Sequence, residues 1–298
     1  MNDAAVMVAG ANRAYTEGVS ATAISSGLTL SDVDDTAIAS GATVSITAGL
    51  TSGDVLSIAS GSLLGGATAS YNSGTGVLTF TGSTTVSNYQ SMLRAVSFSS
   101  TSEDPTSQST TRTVTYSVTD ANASAASNSA QTTTATSTVT ITAVNDTPVG
   151  TAGGSLAYTE NGAATAIDTT ITLIDVDDTQ IVGATVTITS ALTGDVLGFT
   201  GQNDITGIYD ASTGVLTLTG TATLAQYETA LRSVTYRSTS DDPTVANTRN
   251  SRTVTWLVTD ANSDSVGAQI SAGVTSTINI AAVNDATVMV AGANRAYT

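Results

Sequence analysis

A chain of 298 residues with 40% hydrophobic but only 4% aromatic content must build its cores on Val, Ile, Leu and Ala, and its length suits two ordinary domains. Its 24 acids stand against eight bases, all Arg, for a formal charge of −16, which repels nucleic-acid backbones and anionic membranes and attracts cations. Cys and His are absent, which excludes disulfide staples, thiol redox chemistry, a histidine general base and the usual zinc ligand sets.

In chain order, "AYTE" (14–17) reads as an early strand and "LTLSDVDD" (28–35) as a strand running into an acidic loop. "ATVSIT" (42–47), "DVLSIA" (54–59) and "GVLTFTG" (76–82) continue the alternation of half-buried strands. "TTVSNYQSMLRAVSF" (84–98) breaks that period and places Tyr89, Met92, Leu93 and Val96 at helical spacing. "TVTYSVTD" (113–120) and "STVTITAV" (137–144) return to strand alternation. The second half repeats the order, and its helical segment "TATLAQYETALRSVTY" (221–236) carries Thr223 and Gln226 at capping-box spacing. Gly, Asn and Asp punctuate the strands at short intervals, which predicts an all-β chain of sandwiches, each with one short helix. No stretch reaches the roughly 18 apolar residues of a membrane span, and no N-terminal signal peptide is visible.

The chain reads as a window on an array. "VMVAGANRAYT" occupies 6–16 and returns at 288–298, and "VND" occurs at 144–146 and 283–285. The repeat boundaries predict copy 1 over 2–144, copy 2 over 145–283 and a truncated first strand of a third copy over 284–298. A final strand running directly into the next "ND" leaves almost no linker.

Nine acids of copy 1 have an acid partner in copy 2: Asp3, Glu17, Asp32, Asp34, Asp35, Asp54, Glu103, Asp104 and Asp120 match Asp146, Glu160, Asp175, Asp177, Asp178, Asp195, Asp241, Asp242 and Asp260. Copy 2 adds Asp168, Asp204, Asp210, Glu228 and Asp264, which read as solvated charges. Asp54 and Asp195 each follow Gly in a turn and fit the local backbone bonding of Asp in turns. "SEDP" (102–105) and "SDDP" (240–243) fit either a turn or a ligand loop. "DVDD", at 32–35 and 175–178, is different: three carboxylates within four residues repel one another, and a turn needs only one of them. A hard divalent cation reverses that repulsion, and calcium takes six to eight oxygens from carboxylates, Asn side chains and backbone carbonyls. Magnesium demands stricter octahedral geometry and keeps its waters.

These residues resemble the cadherin-like tandem repeats of large bacterial surface adhesins, including the RTX type, with a helix-bearing stretch similar to the chondroitin-sulfate-proteoglycan repeat type. The resemblance covers both copies and rests on the early Glu of "YTE", the D-x-D of "DVDD", the acid of "VTDAN" and the "VND" junction. It implies two tandem cadherin/Ig-like β-sandwiches with calcium at the joints. At the central joint it implies Glu17 from the domain before, Asn145 and Asp146 between, and Asp175, Asp177 and Asp260 from the domain after. Glu103 and Asp104 are further candidates for the preceding domain's contribution. The same layout implies half-sites of Asp3, Asp32, Asp34 and Asp120 at one end and of Glu160, Asn284 and Asp285 at the other. The "VND" junction is shorter than the acidic linker of animal cadherins.

The resemblance further implies a secreted, bacterial cell-surface location and a calcium-stiffened extender that holds a distal adhesive tip, as in cell adhesion and biofilm. Its partners would then be neighbouring repeats of the same chain. It would be monomeric, without nucleic acid or membrane insertion, and other domains would bind the adhesive target. A second functional class is a glycan- or protein-binding sandwich. Trp256 alternates within its strand and aligns with Tyr116, so both are assigned to the core, leaving Tyr71 and Tyr209 as surface candidates. Enzymatic function is not expected, because no acid pair lies in an apolar stretch of sequence that would raise one pKa.

Overall fold

The computed structural model describes residues 2–122, 129–262 and 267–287, together with Met289. Most of the segment read as a third copy, and Asp264, lie outside the described residues. The chain forms two compact units, Met1–Val144 and Asn145–Thr298. Each is all-β with one α-helix among the described residues.

In the first unit a six-stranded sheet runs in the order Arg13–Thr16, Thr132–Thr142, Thr111–Thr119, Ala42–Ala48, Val77–Thr81, Thr68–Asn72. Its pairs are antiparallel except the first, where Arg13–Thr16 runs parallel to Thr132–Thr142. Thr22–Ala23, Ser97–Ser100 and Asp54–Ser57 form a three-stranded sheet, and Val6–Val8 pairs with Thr29–Ser31. The alternation of "TRTVTYSVT" (111–119) is what the sheet uses: Arg112, Val114, Tyr116 and Val118 point inward, and the hydroxyl residues between them face out. Val44, Ile46, Leu78, Phe80, Val114 and Tyr116 of the large sheet join Leu56 and Phe98 of the small one in a single core.

Helix Val86–Arg94 adds Tyr89, Met92 and Leu93 to that core. Nine residues make a helix too short to persist alone in water, so burial of this face holds it. The Thr85 hydroxyl accepts from the Asn88 amide at 3.1 Å and caps its start.

The second unit repeats this plan. Its six-stranded sheet runs Ser155–Thr159, Val274–Ala281, Ser251–Asp260, Gln180–Thr189, Val215–Thr223, Thr206–Asp210, again with a parallel first pair. Helix Leu224–Arg232 has the full capping box of Thr223 and Gln226. Trp256 and Tyr116 are both buried. Tyr71 and Tyr209 correct an expectation. They are half-buried against the cores, and their hydroxyls donate to the Asp54 and Asp195 carbonyls at 2.8 and 2.9 Å. They are not free faces for a sugar to stack on.

Asp168 corrects another. It is buried, not solvated. One oxygen accepts from Gly153 and Gly154 amides at 3.1 and 2.7 Å and from the Ser276 hydroxyl at 2.6 Å. The other accepts from the Thr170 amide and hydroxyl at 2.8 and 2.6 Å. The cause is a coupled exchange between the copies. Trp256 stands where copy 1 has Tyr116, and an indole N–H can only donate. It donates to Ser276 at 2.9 Å, and the Ser276 hydroxyl in turn donates a hydrogen bond to Asp168. Copy 1 has Ser25 at the position of Asp168, where it accepts from Gly10 and Ser137.

Asp168→Ala leaves these donors without an acceptor and should destabilise the second unit by about 2–3 kcal/mol. Trp256 is the single Trp and lies in this unit, so its fluorescence in a urea titration reads the loss there alone. The same carboxyl gives a pH dependence. Burial would raise its pKa, but the bonds from Ser276, Thr170 and Gly153 outweigh burial and hold it below the usual range. A depressed folded pKa means stability that is present above the unfolded value of about 3.9 and lost as pH falls below it. Wild type should therefore lose more stability than Asp168→Ser between pH 5 and pH 3, measured by the same fluorescence midpoint.

Candidate metal centres

The acids gather at two poles of each unit: an entry pole, beside the residues that begin it, and an exit pole, beside the residues that end its last strand. At the entry pole of the second unit, Thr172–Ile174 ends and the "DVDD" loop begins. The Asp175 Oδ1 accepts from the Asp177 and Asp178 amides at 3.4 and 3.2 Å, which winds the loop into a tight turn. That turn brings Asp178 back over Asp175, beside Asp260 at the end of Ser251–Asp260. One carboxylate oxygen from each of Asp175, Asp178 and Asp260 lies within 4.8 Å of the others. Asp178 and Asp260 are buried.

The entering chain is tied into this cluster. Asn145 donates its amide to Asp260 Oδ2 at 3.0 Å and to the Gly267 carbonyl at 3.0 Å. The Asp146 amide donates to Asp177 Oδ2 at 2.7 Å. These bonds consume the donors and leave acceptors behind. Asn145 Oδ1 and Asp175 Oδ2 are buried with no hydrogen-bond partner. Burial first, then the adjacent Asp177 carboxyl, pushes the pKa of Asp175 up to about 7, which corrects the expectation that no acid pair has a setting that raises one pKa: the fold, not the local sequence, buries this one.

The first unit has the same arrangement. Asp32, Asp35 and Asp120 each bring an oxygen within 4.8 Å of the others. Asp32 Oδ1 accepts from the Asp34 and Asp35 amides at 3.1 and 3.0 Å, Asn2 donates to Asp120 at 3.0 Å, and the Asp3 amide donates to Asp34 at 3.0 Å. The pKa of Asp32 is raised, chiefly by burial, and that of Asp34 is lowered, chiefly by the Asp3 amide. Asp35 and Asp178 join these clusters although D-x-D spacing does not single them out. The only signal for them was the third acid of the motif, because alternation along an extended strand turns it away, whereas the turn at Asp175 returns it.

At the exit pole of the first unit, Glu17 is buried and accepts from the Val144 amide at 2.8 Å. A carboxylate oxygen of Glu103 lies within 4.8 Å of one of Glu17. Asp104 lies next in the loop, its amide on the Ser102 hydroxyl at 3.2 Å. In the second unit Glu160 accepts from the Val283 amide at 2.7 Å, and its other oxygen is buried without a hydrogen-bond partner. Asn284 and Asp285 are exposed.

Asp54 and Asp195 take a part that turn chemistry alone does not explain. Each does bond its own turn, accepting from the Thr51 and Leu192 amides at 2.8 Å. Each is also buried against an Arg, with Arg112 Nε at 2.6 Å from Asp54 and Arg252 Nε at 2.7 Å from Asp195. The inward Arg of an otherwise apolar alternation exists to meet this carboxylate.

The donors at the poles are all oxygens, which fits a hard cation and no softer metal. The test of fit is internal. Three carboxylates cluster at each entry pole, and Asn145, which bonds Asp260 through its amide nitrogen, keeps a buried carbonyl oxygen without a hydrogen-bond partner. Three acids so placed hold calcium more readily than they hold one another.

No family model matches the chain. A stretch of 91 residues, 28% of the chain, is 40% identical to halomucin of Haloquadratum walsbyi, and the chain spans 1% of that protein. Among solved structures, mouse cadherin-23 EC22-24 aligns over 96% of this chain and 68% of its own, at 12% identity and a TM-score of 0.37. A protocadherin GammaB4 extracellular domain aligns over 93% of this chain and 33% of its own, at 14% identity and a TM-score of 0.35. No functional statement follows from likeness at that level. Among the described residues no helix is long and apolar enough to cross a membrane.

Proposed function

We propose that this chain is part of a calcium-stiffened array of cadherin-like repeats, an extender of a bacterial cell-surface adhesin that holds an adhesive tip at a distance. The observation that carries the proposal is the entry pole, where Asp175, Asp178 and Asp260 each bring a carboxylate oxygen within 4.8 Å of the others and the entering Asn145, bonded to Asp260, keeps a buried carbonyl oxygen without a hydrogen-bond partner. Asp177 belongs to the same pole through the Asp146 amide. Calcium there would tie the first residues of a repeat to its second-strand loop and to the end of its "VTD" strand. In an array with no linker to spare, that restrains the joint. The halomucin likeness supports a place in a large surface protein. The halves of the chain differ at many positions yet keep these acids, which an array needing the same ion at each step explains.

Calcium titrated calorimetrically into the protein should release heat that Asp178→Asn reduces, with the second-unit affinity falling about tenfold or more as one ligand charge is lost. An unchanged isotherm in Asp178→Asn would remove Asp178 from the site, and the absence of any binding in wild type at millimolar calcium would end the proposal. Asp177→Ala should leave both units folded, because its side chain fills no core, while small-angle scattering in calcium broadens toward that of the chelated protein. Unfolding of the second unit in that variant would instead assign Asp177 an internal structural part.

A further inference from the structure

We propose that Arg112 and Arg252 are positioning residues for the exit poles: each guanidinium fixes the acid pair in front of Pro so that a cation meets a preformed wall. The proposal rests on the calcium reading of the poles. Arg112 has five N–H donors on three nitrogens, and those nitrogens make five contacts. Nε and Nη2 face Asp54 at 2.6 and 3.4 Å, Nη2 also donates to the Pro105 carbonyl at 2.6 Å, and Nη1 donates to the Ser109 and Thr111 carbonyls at 2.7 and 3.4 Å. Arg252 repeats every contact: Asp195, the Pro243 carbonyl at 2.6 Å, and the Arg249 and Ser251 carbonyls at 2.9 and 3.1 Å.

The repetition is informative because the two loops are not alike. Copy 1 reads "TSEDPTSQST" (101–110) where copy 2 reads "TSDDPTVANTRN" (239–250). The extra residues fall after Pro, on the far side of the carbonyl that the Arg holds. The backbone in front of Pro is built alike. Ser102 and Ser240 amides rest on Ser100 and Ser238 hydroxyls at 3.3 and 3.2 Å, and Asp104 and Asp242 amides rest on Ser102 and Ser240 hydroxyls at 3.2 Å. The first residues of this segment are tied to the strand that carries the buried Glu. Tyr15 and Tyr158, two residues before Glu17 and Glu160, accept at their hydroxyls from the Ser100 and Ser238 amides at 3.0 and 3.1 Å. After Pro the loops diverge, and in copy 2 the Asp242 carboxylate accepts from the Ala246 amide at 3.0 and 2.9 Å and from the Thr244 hydroxyl at 3.3 Å, whereas the backbone in front of Pro is held alike in both copies. A packing role for the Arg would not require the same carbonyl, next to the same acid pair, in loops of different length. The unpartnered buried oxygen of Glu160 shows that this pole, too, lacks a positive partner.

Arg112→Lys tests the assignment, since an ammonium can keep the pairing with Asp54 but lacks the fork that spans Pro105 and Ser109. The 15N-labelled full chain is titrated with calcium chloride, reading the amides of Ser102–Asp104 for the exit pole and of Asp34–Asp35 for the entry pole. In wild type both groups should shift. In Arg112→Lys the exit-pole midpoint should rise by about tenfold or more, the usual effect of losing a group that orients a ligand, with the entry-pole midpoint unchanged. Should Arg112→Lys fail to fold, the paired Arg112→Met, Asp54→Leu variant, which leaves no charge orphaned, gives the same reading. An unchanged exit-pole midpoint, or equal loss at both poles, overturns the positioning role. Entry-pole shifts without exit-pole shifts in wild type also overturn it, and shifts at neither pole overturn the calcium reading itself.

Discussion

Arg252→Met will cost the second unit about 3–5 kcal/mol, because it strands Asp195 as an unpaired charge in the core. Asp195 and Arg252 are both buried, and the carboxylate also accepts from Tyr236 at 2.6 Å and from the Leu192 amide. The Tyr contact does not replace a charge. Burial, followed by the Asp195 hydrogen bond and charge, drives the Tyr236 pKa far upward, so this hydroxyl stays a neutral donor. The loss should appear as a shift of the Trp256 fluorescence midpoint to lower urea. Adding Asp195→Leu should recover much of it, since a buried pair replaced together is often close to neutral. Equal stability of the single variant and wild type would mean that water reaches Asp195 and the pair is not a core element. Arg112→Met should do the same to the first unit without moving the Trp256 signal.

Calcium will raise the midpoint of thermal unfolding of both units, and a chelator will lower it. An ion that binds only the folded state stabilises by about 2.7 kcal/mol at a hundredfold excess over its Kd and about 4.1 kcal/mol at a thousandfold excess. The direction follows from the poles: carboxylates held within 4.8 Å of one another are a source of repulsion in the folded chain that unfolding relieves. Extracellular calcium modules bind at roughly 10⁻⁴–10⁻³ M, so the increase should develop over millimolar calcium. Asp178→Asn should reduce the gain in the second unit, followed by Trp256, and leave the first unit's gain in place. Equal melting in calcium and in excess chelator would reject calcium as a ligand of the folded poles. Since the two units need not unfold together, the transitions are to be read separately.

Much of this protein is legible in one dimension. Strand alternation alone names the inward faces: Val114, Tyr116 and Val118 in copy 1 and Val254, Trp256 and Val258 in copy 2 are buried as their spacing requires. Helical spacing likewise places Tyr89, Met92 and Leu93 in the core, and the Thr223–Gln226 box caps the second helix. Periodicity works here because local geometry sets which way each side chain points. The clustering of Asp32, Asp34 and Asp35 against a chain so poor in charge is also a sequence property.

Only the tertiary structure decides which partner each polar group meets. Asp178 turns toward Asp175 and Asp260 because a side-chain bond at Asp175 bends the loop, a bond invisible to any period. Asp168 reads as one more surface acid until the fold places five donors around it. Arg112 and Asp54 stand 58 residues apart and become an ion pair only when their strands pack. In each case the deciding energy is that of a buried polar group finding its complement. That complement comes from distant sequence, and so only the assembled sandwich names it.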